Sequence, residues 1–212
     1  MTNSLFKEKE IKEVNLSAPF ADRVRPNNID EIIGQKHLIG ENAPIRNCFE
    51  RGIFPSMILW GPPGVGKTTI AQMISNSGSY TFSKLTATDS GVKEVRSVIQ
   101  NAETKRKSGK KTLLFIDEIH RFNKSQQDAL LSAVEKGVIT LVGATTENPS
   151  FDVNSALLSR CQVYKLELLT KDDIEELIYS SINRDPLYKD YDIKIKNARN
   201  ILFFISISPN LH

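Results

Sequence analysis

The residues with the clearest chemistry are Gly61-Pro62-Pro63-Gly64-Val65-Gly66-Lys67-Thr68, which fit Gly, four residues, then Gly-Lys-Thr. Glycines at this spacing let backbone N–H groups turn toward phosphate oxygens, and a helix beginning at Lys67 adds positive potential. Lys67 is then placed to reach the β and γ phosphates, and Thr68 to ligate Mg²⁺. The expected nucleotide contacts run from Gly61 through Thr69. Further on, Leu113-Leu114-Phe115-Ile116 leads into Asp117-Glu118, two carboxylates at a strand's C-terminal end, where open α/β sheets bind ligands. Asp117 is expected to hold Mg²⁺, directly or through water, and Glu118 to polarise the water that attacks the γ-phosphate. A nucleoside kinase needs no such acid, so the pair favours nucleotide hydrolysis.

Other polar residues admit two readings each. His120, in Asp117-Glu118-Ile119-His120, either relays the nucleotide state or packs as a neutral imidazole. Thr145 and Thr146 end an apolar run and either sense the γ-phosphate or shape the turn before Asn148-Pro149. Arg160 follows Ala156-Leu157-Leu158 and either serves as a transition-state arginine offered to another subunit or complements its own helix dipole. Lys105-Arg106-Lys107 and Lys110-Lys111 lie before the Asp117 strand, at the sheet end away from the phosphates, and read as a solvated loop.

These groups need a sheet to bring them together. Met57–Trp60, Tyr80–Leu85, Thr112–Ile116, Val138–Val142 and Val163–Leu168 are apolar runs of strand length. Helical periodicity separates them, as in Val92, Val95, Ile99 and Ala102. Runs without polar alternation suit strands buried on both faces, so the expected fold is α/β, a five-stranded mainly parallel sheet with flanking helices. Capping boxes are expected at Ser125–Asp128 and Thr170–Asp173, and a helix stop at Gly137. Residues 1–19 read as a polar, charge-mixed arm, and Ile201–Ile207 as an apolar, β-prone run without an assigned role.

Composition narrows the class. Of 212 residues, 40% are hydrophobic and 25% charged, which excludes wholesale disorder. No apolar run approaches the ~20 residues of a membrane span, and Met1–Glu13 lacks a signal core, so the chain reads as cytoplasmic. Cys48 and Cys161 stand far apart and suggest neither a disulfide framework nor zinc. A net charge of +3 permits a nucleic-acid partner without requiring one.

Taken together, these motifs resemble the AAA+ ATPase core, and more closely the replication-associated recombination protein A family, which includes the Werner-helicase-interacting ATPases. The resemblance rests on Phe20–Gln35, Phe115–Asp128, Gly143–Phe151 and Asn154–Cys161. It implies a site roofed by the N-terminal segment, with Arg25-Pro26 and Ile33-Gly34 near adenine. It further implies a sensor at Thr146, Arg160 acting in trans, ATP and Mg²⁺ as ligands, and a homo-oligomer. Single-stranded, gapped or fork-like DNA and other replication proteins are the implied partners, in the cytoplasm or on a bacterial nucleoid. By analogy, Asp89–Lys93 would face DNA. The expected layout is an arm over 1–19, an ATPase core over 20–168 and a partial helical lid over 169–212 with an atypical, truncated or frame-shifted tail. Family members continue into a second sensor arginine and an oligomerisation domain that this sequence does not show. Two rivals stand beside this expectation. One is a clamp-loader subunit or Holliday-junction branch-migration ATPase, against which Glu147–Phe151 argues. The other is an ATP-binding interaction module that does not hydrolyse.

Overall fold

Met57, Ile58 and Leu59 have no exposed surface, and with Trp60 they make β1 (Met57–Trp60), the strand on which the fold is organised. The computed structural model describes residues 17–77, 80–87 and 90–188, and the backbone of 191–196 and 204–209. Beside β1 lie β2 (Tyr80–Thr86), β3 (Lys111–Asp117), β4 (Thr140–Thr145) and β5 (Gln162–Lys165). All pairings are parallel, in the order β2-β3-β4-β1-β5. Register puts Trp60 opposite Thr145 on one side and Lys165 on the other, while Ile116 pairs with Gly143. The C-terminal tips of β1, β3 and β4 therefore share one edge of the sheet.

The apolar runs are explained by two cores. Met57, Leu59, Leu113 and Phe115 face one layer, with α2 (Lys36–Ile39), α3 (Pro44–Arg51) and α4 (Lys67–Asn76). Ile58, Leu114 and Ile116 face the other, with α5 (Val92–Lys107), α6 (Lys124–Glu135) and, after the short α7 (Pro149–Asp152), α8 (Ser155–Leu158). Successive strand residues point to opposite faces, so a strand covered on both sides must be apolar throughout. Lys105, Arg106 and Lys107, expected in a solvated loop, instead form the last turn of α5, where cations suit the helix dipole, and Arg106 donates to the Lys136 carbonyl at 2.9 Å.

Three of the expected element boundaries shift. The capping box before α6 is Asn123–Gln126, not Ser125–Asp128: Asn123 Oδ1 accepts from the Gln126 N–H at 3.0 Å, and Gln126 Oε1 accepts from the Asn123 N–H at 2.8 Å. Asn123 is extended whereas Ser125 is already helical, so only the former can cap. The last strand of the sheet stops at Lys165 rather than Leu168, because β5 is an edge strand and Leu168 is largely exposed. The fourth strand starts at Thr140 rather than Val138, since Val138 and Ile139 close the α6 turn on the Ala133 carbonyl. The Thr170–Asp173 box is present, with bonds of 2.8 and 3.1 Å, and it opens α9 (Lys171–Arg184).

Contacts divide the chain into two units, residues 26–174 and residues 1–25 with 175–212. In the smaller unit α1 (Phe20–Arg23) carries Arg23, which grips Asp185 Oδ2 through Nε and Nη2 at 3.0 and 2.7 Å. Both side chains are almost wholly buried, and Phe20 meets Tyr188 edge-on. Beyond α9 the backbone forms an antiparallel pair, β6 (Tyr191–Lys196) and β7 (Phe204–Pro209). The partial helical lid expected over 169–212 thus gives way to a strand at Tyr191, in keeping with the two-residue alternation of Ile193, Lys194, Ile195 and Lys196. Among the described residues, no helix is long and apolar enough to cross a membrane.

Candidate nucleotide-binding site

The Gly61–Gly66 loop springs from the tip of β1 and delivers the chain into α4. Gly61 donates its N–H to the Thr145 carbonyl at 3.1 Å, and a Cβ there would come within 2.4 Å of the Leu166 carbonyl oxygen. Only glycine allows the loop to start this close to the neighbouring chain. Gly66, at φ 100°, is the N-cap of α4 and offers no side-chain cap, so the first N–H groups of this ten-residue helix are left for an anion. The space over Gly64 and Gly66 is open for at least 4 Å.

Lys67 is buried to 8% exposure, and its Nζ donates to the Gly61 and Pro62 carbonyls at 2.5 and 2.7 Å. Burial lowers the ammonium's pKa, while the charges of Glu118 and Asp117 oppose that shift. The loop carbonyls hold the cation beside the two acids that the sequence pairs with it. Thr68 and Thr69 are half-buried in the first turn of α4, and Pro62, Pro63 and Val65 complete the loop.

An ATP·Mg²⁺ complex fits this donor set. The unsatisfied helix N–H groups and Lys67 suit a polyphosphate, and the Thr68 hydroxyl and Asp117 carboxylate are hard oxygen ligands. Mg²⁺ typically takes one or two protein oxygens and completes its shell with water and phosphate.

Glu118 follows β3 in the left-handed region, at φ 54° and ψ 49°, and opens a 3-10 turn over Ile119–Arg121. That conformation is uncommon for a residue with a side chain, and such strain persists only where surrounding structure enforces it. Its Oε2 accepts from the Thr146 hydroxyl at 3.4 Å and lies 3.3 Å from His120 Nδ1. His120 Nδ1 is in turn 2.9 Å from Thr145 Oγ1. Thr145 is fully buried, and its hydroxyl also bridges Glu147, 3.0 Å from the N–H and 3.2 Å from the carbonyl. The two threonines thus divide the alternatives between them: Thr145 shapes the turn and Thr146 touches Glu118.

Gln35 belongs to this neighbourhood, and no role was assigned to it from sequence. It is buried, has φ 50°, and its Nε2 donates to the Glu167 carbonyl at 2.7 Å and the Val65 carbonyl at 3.4 Å. Its Oε1 accepts from the Glu167 N–H at 3.0 Å. The side chain fastens its own segment to the phosphate loop 30 residues on and to the stretch after β5 132 residues on, links that no local pattern announces. Ile33 and Gly34 precede it, and a Cβ on Gly34 would come within 2.5 Å of Leu169 Cδ2. Pro26 lies in the same unit, whereas Arg25 belongs to the smaller unit, in an ion pair with Asp22 at 2.7 Å.

Arg160 is elsewhere. It lies just ahead of β5, whose first residue pairs with the first residue of β1, so the guanidinium is at the sheet edge opposite the loop. There it meets Glu135 Oε1 at 2.6 Å and the Ala156 carbonyl at 2.6 Å. Gly91 and Lys93 are exposed at the start of α5, while Asp89 lies outside the described residues.

Residues 57–166, about half of the chain, match the profile of the ATPase family associated with various cellular activities (AAA). Over 164 residues, 77% of this chain and 37% of the relative, it is 51% identical to the replication-associated recombination protein A of Escherichia coli K12. It is 49% identical over 173 residues to the ATPase WRNIP1 of Dictyostelium discoideum, covering 82% of this chain and 20% of that one. Among solved structures it resembles the Thermotoga maritima RuvB Holliday junction branch migration motor. That likeness has a TM-score of 0.62 at 30% identity, over 76% of this chain and 54% of the other. The chain thus spans little more than a third of the bacterial relatives' length, and that span holds the loop, the acidic pair and Arg160 alike. With its sheet order, phosphate loop and β3 acids in place, the chain belongs to the AAA family of ATPases, and within it is similar to replication-associated recombination protein A and WRNIP1.

Proposed function

We propose that the chain is the ATP-hydrolysing core of a DNA-dependent motor that serves replication-fork maintenance and recombination. The carrying observation is the convergence of Lys67 and Glu118 at one sheet edge, with the acid held by Thr146 and His120. In this reading the loop N–H groups and Lys67 bind the triphosphate of ATP, and Thr68 and Asp117 hold Mg²⁺. When bound, that ion offsets negative charge on the phosphates. Glu118 takes a proton from the attacking water through Oε1, the oxygen opposite the one that Thr146 and His120 engage. Arg160 acts on a neighbouring copy, because its own loop is at the far edge of the sheet, so the working form is a homo-oligomer. Adenine lies against Pro26, Ile33 and Gly34, and the protein works in the cytoplasm or at the nucleoid.

The test is ATP turnover with and without single-stranded and gapped DNA. Lys67→Ala should weaken ATP binding by about 100-fold or more, while Glu118→Gln should bind ATP normally and lose about 10²- to 10⁴-fold in turnover. Turnover that survives both substitutions would refute the assignment. The RuvB likeness favours a second reading, a branch-migration motor, for which a four-way junction should stimulate turnover more than gapped DNA does. Normal ATP binding with no turnover under any DNA would instead identify a nucleotide-dependent interaction module.

A further inference from the structure

We propose that His120 is a positioning residue for Glu118, and that Thr145 helps fix which of its ring nitrogens carries the proton. This rests on the hydrolytic role of Glu118 and says how the carboxylate is kept in place. Thr145 Oγ1 has one hydrogen and three close partners: the Glu147 N–H, the Glu147 carbonyl and His120 Nδ1. The N–H can only donate. The hydroxyl hydrogen therefore goes either to the carbonyl or to the ring.

Were it to go to the ring, Nδ1 would be a bare acceptor, and its lone pair would face a carboxylate oxygen 3.3 Å away. Were it to go to the carbonyl, Nδ1 would carry the proton and share it between Thr145 Oγ1 at 2.9 Å and Glu118 Oε2 at 3.3 Å. Only the second arrangement leaves every group satisfied, and Thr145, being fully buried, has no water to fall back on. The left-handed backbone at Glu118 and the 3-10 turn after it set the ring at this distance. Oε2 then receives two hydrogen bonds, from His120 and Thr146, and Oε1 is left to act on the water. The carboxylate is thereby registered to the tip of β4 rather than to its own strand.

Two readouts test this, one independent of turnover. Long-range ¹⁵N–¹H spectra of the nucleotide-free chain, with His120 assigned by its loss in His120→Asn, should show a protonated Nδ1. A bare Nδ1 overturns the proposal. In turnover, His120→Leu should lower kcat by about 10- to 100-fold, the range seen when an outer-shell partner is removed, with KM for ATP within about twofold. His120→Asn, which can place an N–H near Nδ1, should restore most of that loss. Thr145→Val should also lower kcat, and the double variant His120→Leu/Thr145→Val should lose no more than the worse single one. An unchanged kcat, a loss carried by KM, failed rescue by Asn, or additive losses would each overturn it. Should a variant fail to fold, the wild-type spectrum decides. A protonated Nδ1 in a chain that never turns over ATP would sink the hydrolytic reading while leaving the contact standing.

Discussion

Cys161, partly buried against the α5/α6/α8 core, has its thiol pushed up by desolvation to about 11. The thiolate is the reactive form, so at pH 8 its fraction is about 100-fold below that of an ordinary thiol with a pKa of 9.0. Labelling of Cys161 by iodoacetamide in the folded chain should be slower by about that factor than in the urea-unfolded chain. The folded state keeps the proton that the unfolded chain releases near pH 9, so the contribution is present below 9 and lost as pH rises to 11. The urea midpoint should fall across that interval in wild type and fall less in Cys161→Ala. At the same scale, Lys67 illustrates a shift in the other direction. Its burial disfavours the ammonium, and the Gly61 and Pro62 carbonyls together with two nearby acids are what allow it to stay charged under the loop.

Elements are positioned by their ends, and α6 is the clearest case. Its N-terminus is closed by Asn123 and Gln126, and Gln126 Nε2 also donates to the Ser90 carbonyl at 2.6 Å, which ties the start of α6 to the segment before α5. Asn123→Ala should therefore cost about 1 kcal/mol, read from the urea midpoint, whereas Ser125→Ala should be close to neutral. The reverse result would restore the cap to Ser125. Two overlapping Ser/Asn-x-x-Gln/Asp patterns within six residues satisfy the same spacing rule, and sequence alone does not choose between them. The choice is made where the chain leaves the extended conformation, and that is dictated by how the 3-10 turn after Glu118 hands the chain to α6. The short β5 has a similar origin: Leu166 is buried and Leu168 exposed because pairing along the sheet edge ends at Lys165.

At the scale of the molecule, the proposed trans role of Arg160 rests on its distance from the phosphate loop of its own chain. Four strand residues at ~3.3 Å each set the sheet edges roughly 13 Å apart along β1 alone. In one chain Arg160 rests on Glu135, and both side chains are partly exposed. Arg160→Ala should bind ATP normally and lose about 10³-fold or more in turnover. Lys67→Ala should be inactive for a different reason, having an intact arginine and a dead site. Mixing the two inactive variants should restore part of the turnover, because mixed assemblies contain sites with an intact loop facing an intact arginine. If mixing restores nothing while wild type is active, Arg160 does not act between copies.

The phosphate loop, the acidic pair and the five-stranded parallel sheet could all be read from the chain, because each is encoded locally. Gly61–Thr68 is a contiguous motif, and a strand covered on both faces has to be apolar at every position, so Met57–Trp60 and Leu113–Ile116 declare themselves. Contacts made across long separations in sequence follow from tertiary packing instead. Gln35 fastening Val65 and Glu167, Thr146 and His120 converging on one oxygen of Glu118, and Thr145 being spent on its own turn all depend on register between strand tips, which no spacing rule contains. A motif fixes which chemistry is available. The positions of donors and acceptors within a few tenths of an ångström follow from the packing of elements that sequence order leaves far apart.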